Sequence, residues 1–299
     1  DVMFYQDFKL EGYQNLNDVF EFITSDNPEA KVQYQSGKYE NFLPTKNFKM
    51  AIDQDVIYKT GTLTEKSSSR IVPEMKWTFP GSYITKGQLA FLDILLHNNW
   101  KRPIYFAFTV PSSNYMGLDN YLFNEGFALR LLPQEKLKLD ASNMISDLDE
   151  VNTDVMYTNL MKNFNWANMK TASYLDPEST KMVFLSVNKF NELARNLIHE
   201  GKLDSARNVM KECLKVLPIK TTYETNFALG KYELVDIMYQ LGMKDEANDL
   251  LKQTKDLAGE ELKYHYSLSR NKENLGMRSI QLNLFVLAQF DELNMDKQL

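Results

Sequence analysis

Residues 84–110, ITKGQLAFLDILLHNNWKRPIYFAFTV, constrain the fold more than any other stretch of this 299-residue chain. Thr85 with Gln88 three residues on has the form of a capping box. Leu89, Ala90, Phe91, Leu92, Ile94, Leu95 and Leu96 then leave almost no polar face. A helix apolar all round is covered on more than one side, so the spacing predicts a buried helix over 85–98. Asn98-Asn99 closes it, and Pro103 stands where a strand can begin without needing its N–H. Residues 104–110 are apolar almost throughout, which predicts a central strand covered on both faces. Asp in place of Tyr105 or Phe106 would then unfold the domain, because it strands a charge in the core.

The next segment predicts a short helix over 118–124 stopped by Gly126, and a strand over 127–132 ended by Pro133. Helix, strand, helix, strand suggests a small α/β layer, with a parallel pairing through a right-handed crossover. Upstream, Asn17 is placed to cap a helix carrying Val19, Phe20, Phe22 and Ile23, ended around Asp26-Asn27-Pro28. Ser36-Gly37 marks a turn, 56–58 and 71–79 have strand-like composition, and 64–70 reads as a polar loop. Residues 134–150 are polar and Asp-rich and form the boundary. The expected class is α+β: a mixed α/β domain over 1–145, followed by an all-α, tetratricopeptide-like helical-hairpin domain over 146–299.

The hairpin expectation rests on Phe190, Leu193, Ala194, Leu197, Gly201, Ala206, Met210 and Pro218, which sit at tetratricopeptide-like spacing. Ala194 and Ala206 would let two helices approach, and Gly201 can take the left-handed conformation that ends the first. Leu234, Gly242, Ala247 and Leu251 form a second, weaker copy. From Gly201 to Gly242 is 41 residues, longer than the ~34 of a regular repeat, with the expansion around 219–226. Residues 262–269 and 278–293 offer two further helices.

Composition excludes several classes of function. The net charge is −6, and no run of five Lys or Arg occurs, so nucleic acid is not an expected partner. One cysteine, Cys213, excludes an internal disulfide and a thiolate cluster. No apolar run approaches the ~18–20 residues that span a bilayer. The chain opens at Asp1 with neither Met nor a signal region, as a piece of a longer or processed protein would. The 18 Phe, 16 Tyr and 3 Trp either fill two cores or provide stacking surfaces for sugars or peptides.

No reaction signature is present: HExxH, GxSxG, the P-loop and GxGxxG are all missing, and His97, His199 and His265 hold no metal spacing. Hence no catalytic residue, no metal and no cofactor is expected. The candidate binding residues flank the apolar unit: Asp93, Trp100, Arg102, Tyr105, Asp119, Tyr121 and Arg130. A charge within an apolar helix or strand needs a partner, so Asp93 and Arg130 are read either as structural ion pairs or as a carboxylate–guanidinium site for a ligand. Asp204-Ser205-Ala206 matches an O-glycosylation acceptor pattern of some Gram-negative envelope proteins, and equally suits a helix start.

LDILLHNNWKRPIYFAFTV (92–110) and NYMGLDNYLFNEGFALRLLP (114–133), with supporting runs at 17–28, 40–50, 153–169 and 197–218, carry a family resemblance. The chain resembles the soluble C-terminal region of bacterial multi-pass membrane proteins grouped with the protein-O-mannosyltransferase-like, GT-C type glycosyltransferases. The resemblance implies that membrane helices precede this region in the full chain. It implies catalytic acids in an early loop outside these residues, and a place on the periplasmic face of the inner membrane. On this reading the chain is a non-catalytic domain that binds a protein or glycan partner, or supports the membrane-embedded part of its own chain. Two alternatives stand beside it: a free-standing enzyme with a site near Asp93, Arg102, Asp119 and Arg130, and a purely structural scaffold.

Overall fold

The computed structural model describes residues 2–33, 37–63, 70–136, 150–220, 222, 228–269 and 276–298. The chain forms two compact units, Asp1–Glu150 and Val151–Leu299. The expected junction at 145/146 and most of the 64–70 loop lie outside the described residues, as does Ser36 of the expected turn.

The first unit runs β1 (Val2–Phe4), β2 (Gln14–Asn15), α1 (Leu16–Thr24), β3 (Lys31–Gln33), β4 (Tyr39–Asn41), β5 (Asn47–Ala51), α2 (Gln54–Lys59), β6 (Glu74–Thr78), β7 (Tyr83–Thr85), α3 (Lys86–Asn98), β8 (Tyr105–Ala107), β9 (Leu122–Asn124) and β10 (Ala128–Leu131). Its strands form two three-stranded sheets, ordered β2-β5-β6 and β8-β10-β9, and two ribbons, β1-β7 and β3-β4. β2 pairs with β5 in parallel, and the other pairings are antiparallel. Between β5 and β6, Phe48 faces Trp77 and Met50 faces Met75. All four are buried, while the alternate positions point outward, as a strand's two-residue period requires. Leu16, Val19 and Ile23 of α1 and Leu92 and Leu95 of α3 join the same core.

Four expectations hold. The strands over 71–79 and 127–132 are β6 and β10. Thr85 caps α3 through a complete capping box, and Asn99 ends it in the left-handed conformation, φ 44°.

Other expectations are corrected, each for a local physical reason. Asn15, two residues before Asn17, caps α1 and accepts the Asn17 N–H at 2.9 Å. Residues 56–58 belong to α2, because the Asp53 carboxylate accepts the N–H groups of Asp55 and Val56 and starts a helix. Residues 118–124 are a 3-10 turn (Asp119–Tyr121) running into β9. The β9 and β8 strands flank β10 antiparallel, so the parallel crossover is absent from this sheet. Consequently β8 is an edge strand of three residues and not a covered central one, and Tyr105 is 46% exposed. Phe106 alone turns inward, against Phe91 at 5.1 Å and Tyr115 at 5.4 Å. The α3 helix buries one stripe and not its whole circumference, leaving Ile94 57% exposed.

The second unit runs α4 (Thr153–Thr158), α5 (Pro177–His199), α6 (Leu203–Val216), α7 (Ala228–Gln240), α8 (Lys244–Ser269) and α9 (Met277–Gln298). Asp176 caps α5, with Pro177 at the first helical position where no N–H is needed. The α5 and α6 helices form one hairpin and α7 and α8 the next, with α9 packed on α8. The small residues Ala194, Ala206 and Ala247 are fully buried, as the repeat spacing predicts. Both corners have the same geometry. At Gly201 (φ 74°) the Lys202 N–H bonds the Leu197 carbonyl and Gly201 N–H that of Ile198. At Gly242 (φ 75°) Met243 and Gly242 bond Met238 and Tyr239 in the same way. Residues 262–269 are the end of α8 rather than a separate helix, and most of the 219–226 expansion lies outside the described residues. Asp204 and Ser205 fall inside α6, whose N-cap is Lys202 without a side-chain cap. Cys213 is buried in α6, and burial pushes its thiol pKa up.

Candidate functional site

In the first unit, the β6–β7 turn, the start of α3 and the loop after β8 enclose an open cleft of about 800 Å³. One side presents the ring of Tyr83 beside the turn that covers the buried Phe79. A Cβ at Gly81 would stand 2.6 Å from the Phe79 ring, so the turn folds over that ring only because residue 81 is glycine. Tyr83 follows, 46% exposed, with its cross-strand neighbour Phe4 edge-on at 6.0 Å. The facing wall is polar. It carries Ser112 and Asn114 from one 3-10 turn (Ser112–Asn114) and Asp119 from the next.

The loop bearing these polar groups is fastened to β6 at two points. Gly117 has φ +84°, and a Cβ there would stand 2.0 Å from the Thr78 carbonyl oxygen. The Tyr121 hydroxyl accepts the Lys76 N–H at 2.9 Å and lies 3.2 Å from the Lys76 carbonyl oxygen, to which it donates. Both walls therefore take their positions from the same strand. At the α3 end, the Thr85 hydroxyl receives the Gln88 N–H and Gln88 Oε1 receives the Thr85 N–H, so those helix-start donors are engaged.

The seven residues singled out from the sequence do not form one site. Only Asp119 lines the cleft, while Tyr121 anchors its wall from behind. Tyr105 and Arg130 meet elsewhere, around Glu125. The Tyr105 hydroxyl donates to Glu125 Oε2 at 2.8 Å, Arg130 Nη1 lies 3.6 Å from Glu125 Oε1, and the Arg130 guanidinium sits 5.8 Å from the centre of the Tyr105 ring. The Glu125 side chain is 2% exposed, so this triad is a buried charge with its partners. Burial and the Glu125 carboxylate push the Tyr105 phenol pKa up. Asp93 is exposed on α3 and pairs with His97, whose Nδ1 is 3.1 Å from Asp93 Oδ1. Arg102 is exposed, with its backbone tied to the Asn98 side chain. Trp100 is buried at φ 55° and its carbonyl accepts the Thr62 hydroxyl at 3.4 Å.

Sequence reasoning missed Tyr83, Asn114 and Glu125. The turn dipeptide Pro80-Gly81 before Tyr83, and the polar run Ser112-Ser113-Asn114 directly after the apolar stretch, were the available signals. Among the described residues no group of His, Cys, Asp and Glu could hold a metal ion, and no helix is long and apolar enough to cross a membrane.

The model of one protein family, TMEM260-associated domain 2, matches residues 1–155. The chain belongs to that family. TMEM260-associated domain 2 thus spans the whole first unit, including the cleft and the Tyr105–Glu125–Arg130 triad, and the chain is a domain of a TMEM260-like membrane protein family. The helical hairpins lie beyond the matched residues. No curated protein and no solved structure matches the chain.

Proposed function

We propose that the chain is a non-catalytic, extracytoplasmic binding domain of a membrane glycosyltransferase-like protein. It works beside the membrane-embedded part of its own chain, on the periplasmic face of the inner membrane. The observation that carries this reading is the dispersal of the chemistry-bearing groups within a domain of a membrane protein family. Asp93, Asp119 and the Arg130–Glu125 pair occupy three separate places, and none sets an acid and a base around one reacting atom. A free-standing enzyme would need that convergence. The resemblance of 92–110 and 114–133 to GT-C type glycosyltransferases supports the enzyme class of the parent protein. The paired hairpins support a binding role, because stacked hairpins build extended recognition surfaces.

The test is the topology of the full-length protein. Several apolar spans of ~20 residues are expected upstream of Asp1. Alkaline phosphatase fused after Leu299 is expected to be active, as that enzyme is only outside the cytoplasm. A full-length protein without membrane spans, or a fusion active only with a cytoplasmic reporter, would overturn the reading.

A further inference from the structure

We propose that the cleft between the β6–β7 turn and the 112–119 loop is a binding site for a neutral carbohydrate. This rests on the reading of the chain as a binding domain, and it names the class of ligand.

Charge decides first. Asp119 is the one ionisable carboxylate among the lining residues, and no Lys or Arg lines the cleft. A phosphate, sulfate or sugar acid would meet a like charge and no counter-charge. The capping box engages the Thr85 and Gln88 N–H groups, two of the helix-start donors an anion would use. An anionic ligand is therefore disfavoured, and the hydroxyl and amide groups beside Asp119 suit a neutral polyol better than a cation, which would call for more than one carboxylate.

Shape and lining decide next. Tyr83, 46% exposed, supplies the accessible aromatic ring, since Phe79 lies buried beneath Gly81, and Ser112, Asn114 and Asp119 supply hydroxyl, amide and carboxylate. A pyranose has this same two-sided character. Its axial C–H face is attracted to the negative face of an aromatic ring, and its equatorial hydroxyls pair with acceptors and mixed donor–acceptors such as carboxylate, amide and serine hydroxyl. A carboxylate is the strongest acceptor a neutral hydroxyl can meet, which gives Asp119 a role that a salt bridge does not explain. A polypeptide fits less well, because extended peptides add to an exposed strand edge and β7 is only three residues long.

Preorganisation completes the argument. Gly81 over Phe79, Gly117 under Thr78 and Tyr121 on Lys76 hold both walls without a ligand. A site that does not have to be ordered on binding keeps more of its contact energy as affinity.

The experiment is to apply the fluorescently labelled 299-residue chain to a printed array of neutral and anionic glycans, with an unstructured Ser/Thr-rich peptide alongside. Binding to neutral glycans above anionic ones is expected. Tyr83→Ala and Asp119→Asn should each weaken the best neutral ligand at least tenfold. Tyr39→Ala, an exposed tyrosine outside the cleft, should leave it unchanged, and all three variants should keep the wild-type melting transition. Absence of neutral-glycan binding by a chain with a cooperative melt overturns the proposal. So does binding that survives both cleft substitutions, or peptide binding that both abolish. None of these results touches the topology that tests the parent reading, so the two can fail separately.

Discussion

A methyl group at position 117 would stand 2.0 Å from the carbonyl oxygen of Thr78. That distance is far inside van der Waals contact, and the obstacle is backbone of β6, which cannot rotate away. Gly117 also has φ +84°, a conformation in which a Cβ costs about 1–2 kcal/mol by itself. Gly117→Ala is therefore expected to destabilise the first unit by more than about 2 kcal/mol. Thermal or urea unfolding checks it. A melting transition within a degree of the wild type would show that the loop rests on β6 less closely than described.

Tyr121→Phe isolates the second fastening. The ring stays and the hydroxyl, with its two contacts to the Lys76 backbone, is lost. The expected loss is about 1–2 kcal/mol, one satisfied hydroxyl and a backbone N–H left short of a partner. Urea unfolding of Tyr121→Phe against the wild type measures it. No change in midpoint would remove Tyr121 from the scaffold of the cleft.

The Tyr105–Glu125–Arg130 triad predicts an order of effects. Glu125→Leu leaves the Arg130 guanidinium beside an apolar side chain and should cost about 3–5 kcal/mol. Tyr105→Phe removes one hydrogen bond at a half-exposed ring and should cost about 1 kcal/mol. Denaturant midpoints of the two variants give the comparison, and an equal or reversed order would mean that the carboxylate is not the centre of the cluster.

In the second unit, burial lowers the Lys231 pKa from its ordinary 10.5 to about 7. Its ammonium lies 6.0 Å from the centre of the Phe184 ring and donates to the Thr222 carbonyl, while the neighbouring acid Glu233 is paired with Arg195. Between pH 7 and 10.5 the unfolded chain holds a proton at Lys231 that the folded chain has released. Stability from this group therefore rises with pH across that window, is fullest above 10.5 and is lost as pH falls to 7. The slope is at most about 1.4 kcal/mol per pH unit. Lys231→Met should be more stable than the wild type at pH 7, with the difference shrinking toward pH 10. A difference independent of pH would place the lysine in contact with water.

The elements that were readable from sequence are those decided within a few residues. The α3 capping box needs only Thr85 and Gln88, and each hairpin corner needs only its glycine and the carbonyls of the preceding turn. What was not readable depended on partners distant in the chain. An apolar run cannot say whether its strand is central or at an edge. Here β10, more than twenty residues on, pairs with one edge of β8, and only the face carrying Phe106 is covered, so Tyr105 and Ala107 on the other face are exposed. Ile94 is exposed for a related reason: α3 has one layer to pack against, not two. The cleft was hidden because its two walls, near residues 80 and 114, are joined through Gly117 and Tyr121, whose roles appear only when β6 lies beside them.

Cys213 gives the molecule a practical property. Its sulfur is buried and its thiolate is disfavoured, and the thiolate is the species that reacts with maleimides and iodoacetamides. The native chain should thus be silent toward thiol reagents while folded. A single exposed cysteine placed on the cleft rim, as in Ser113→Cys, would then be the one position to take up a fluorophore or spin label. The fold supplies its own blank for watching that cleft fill.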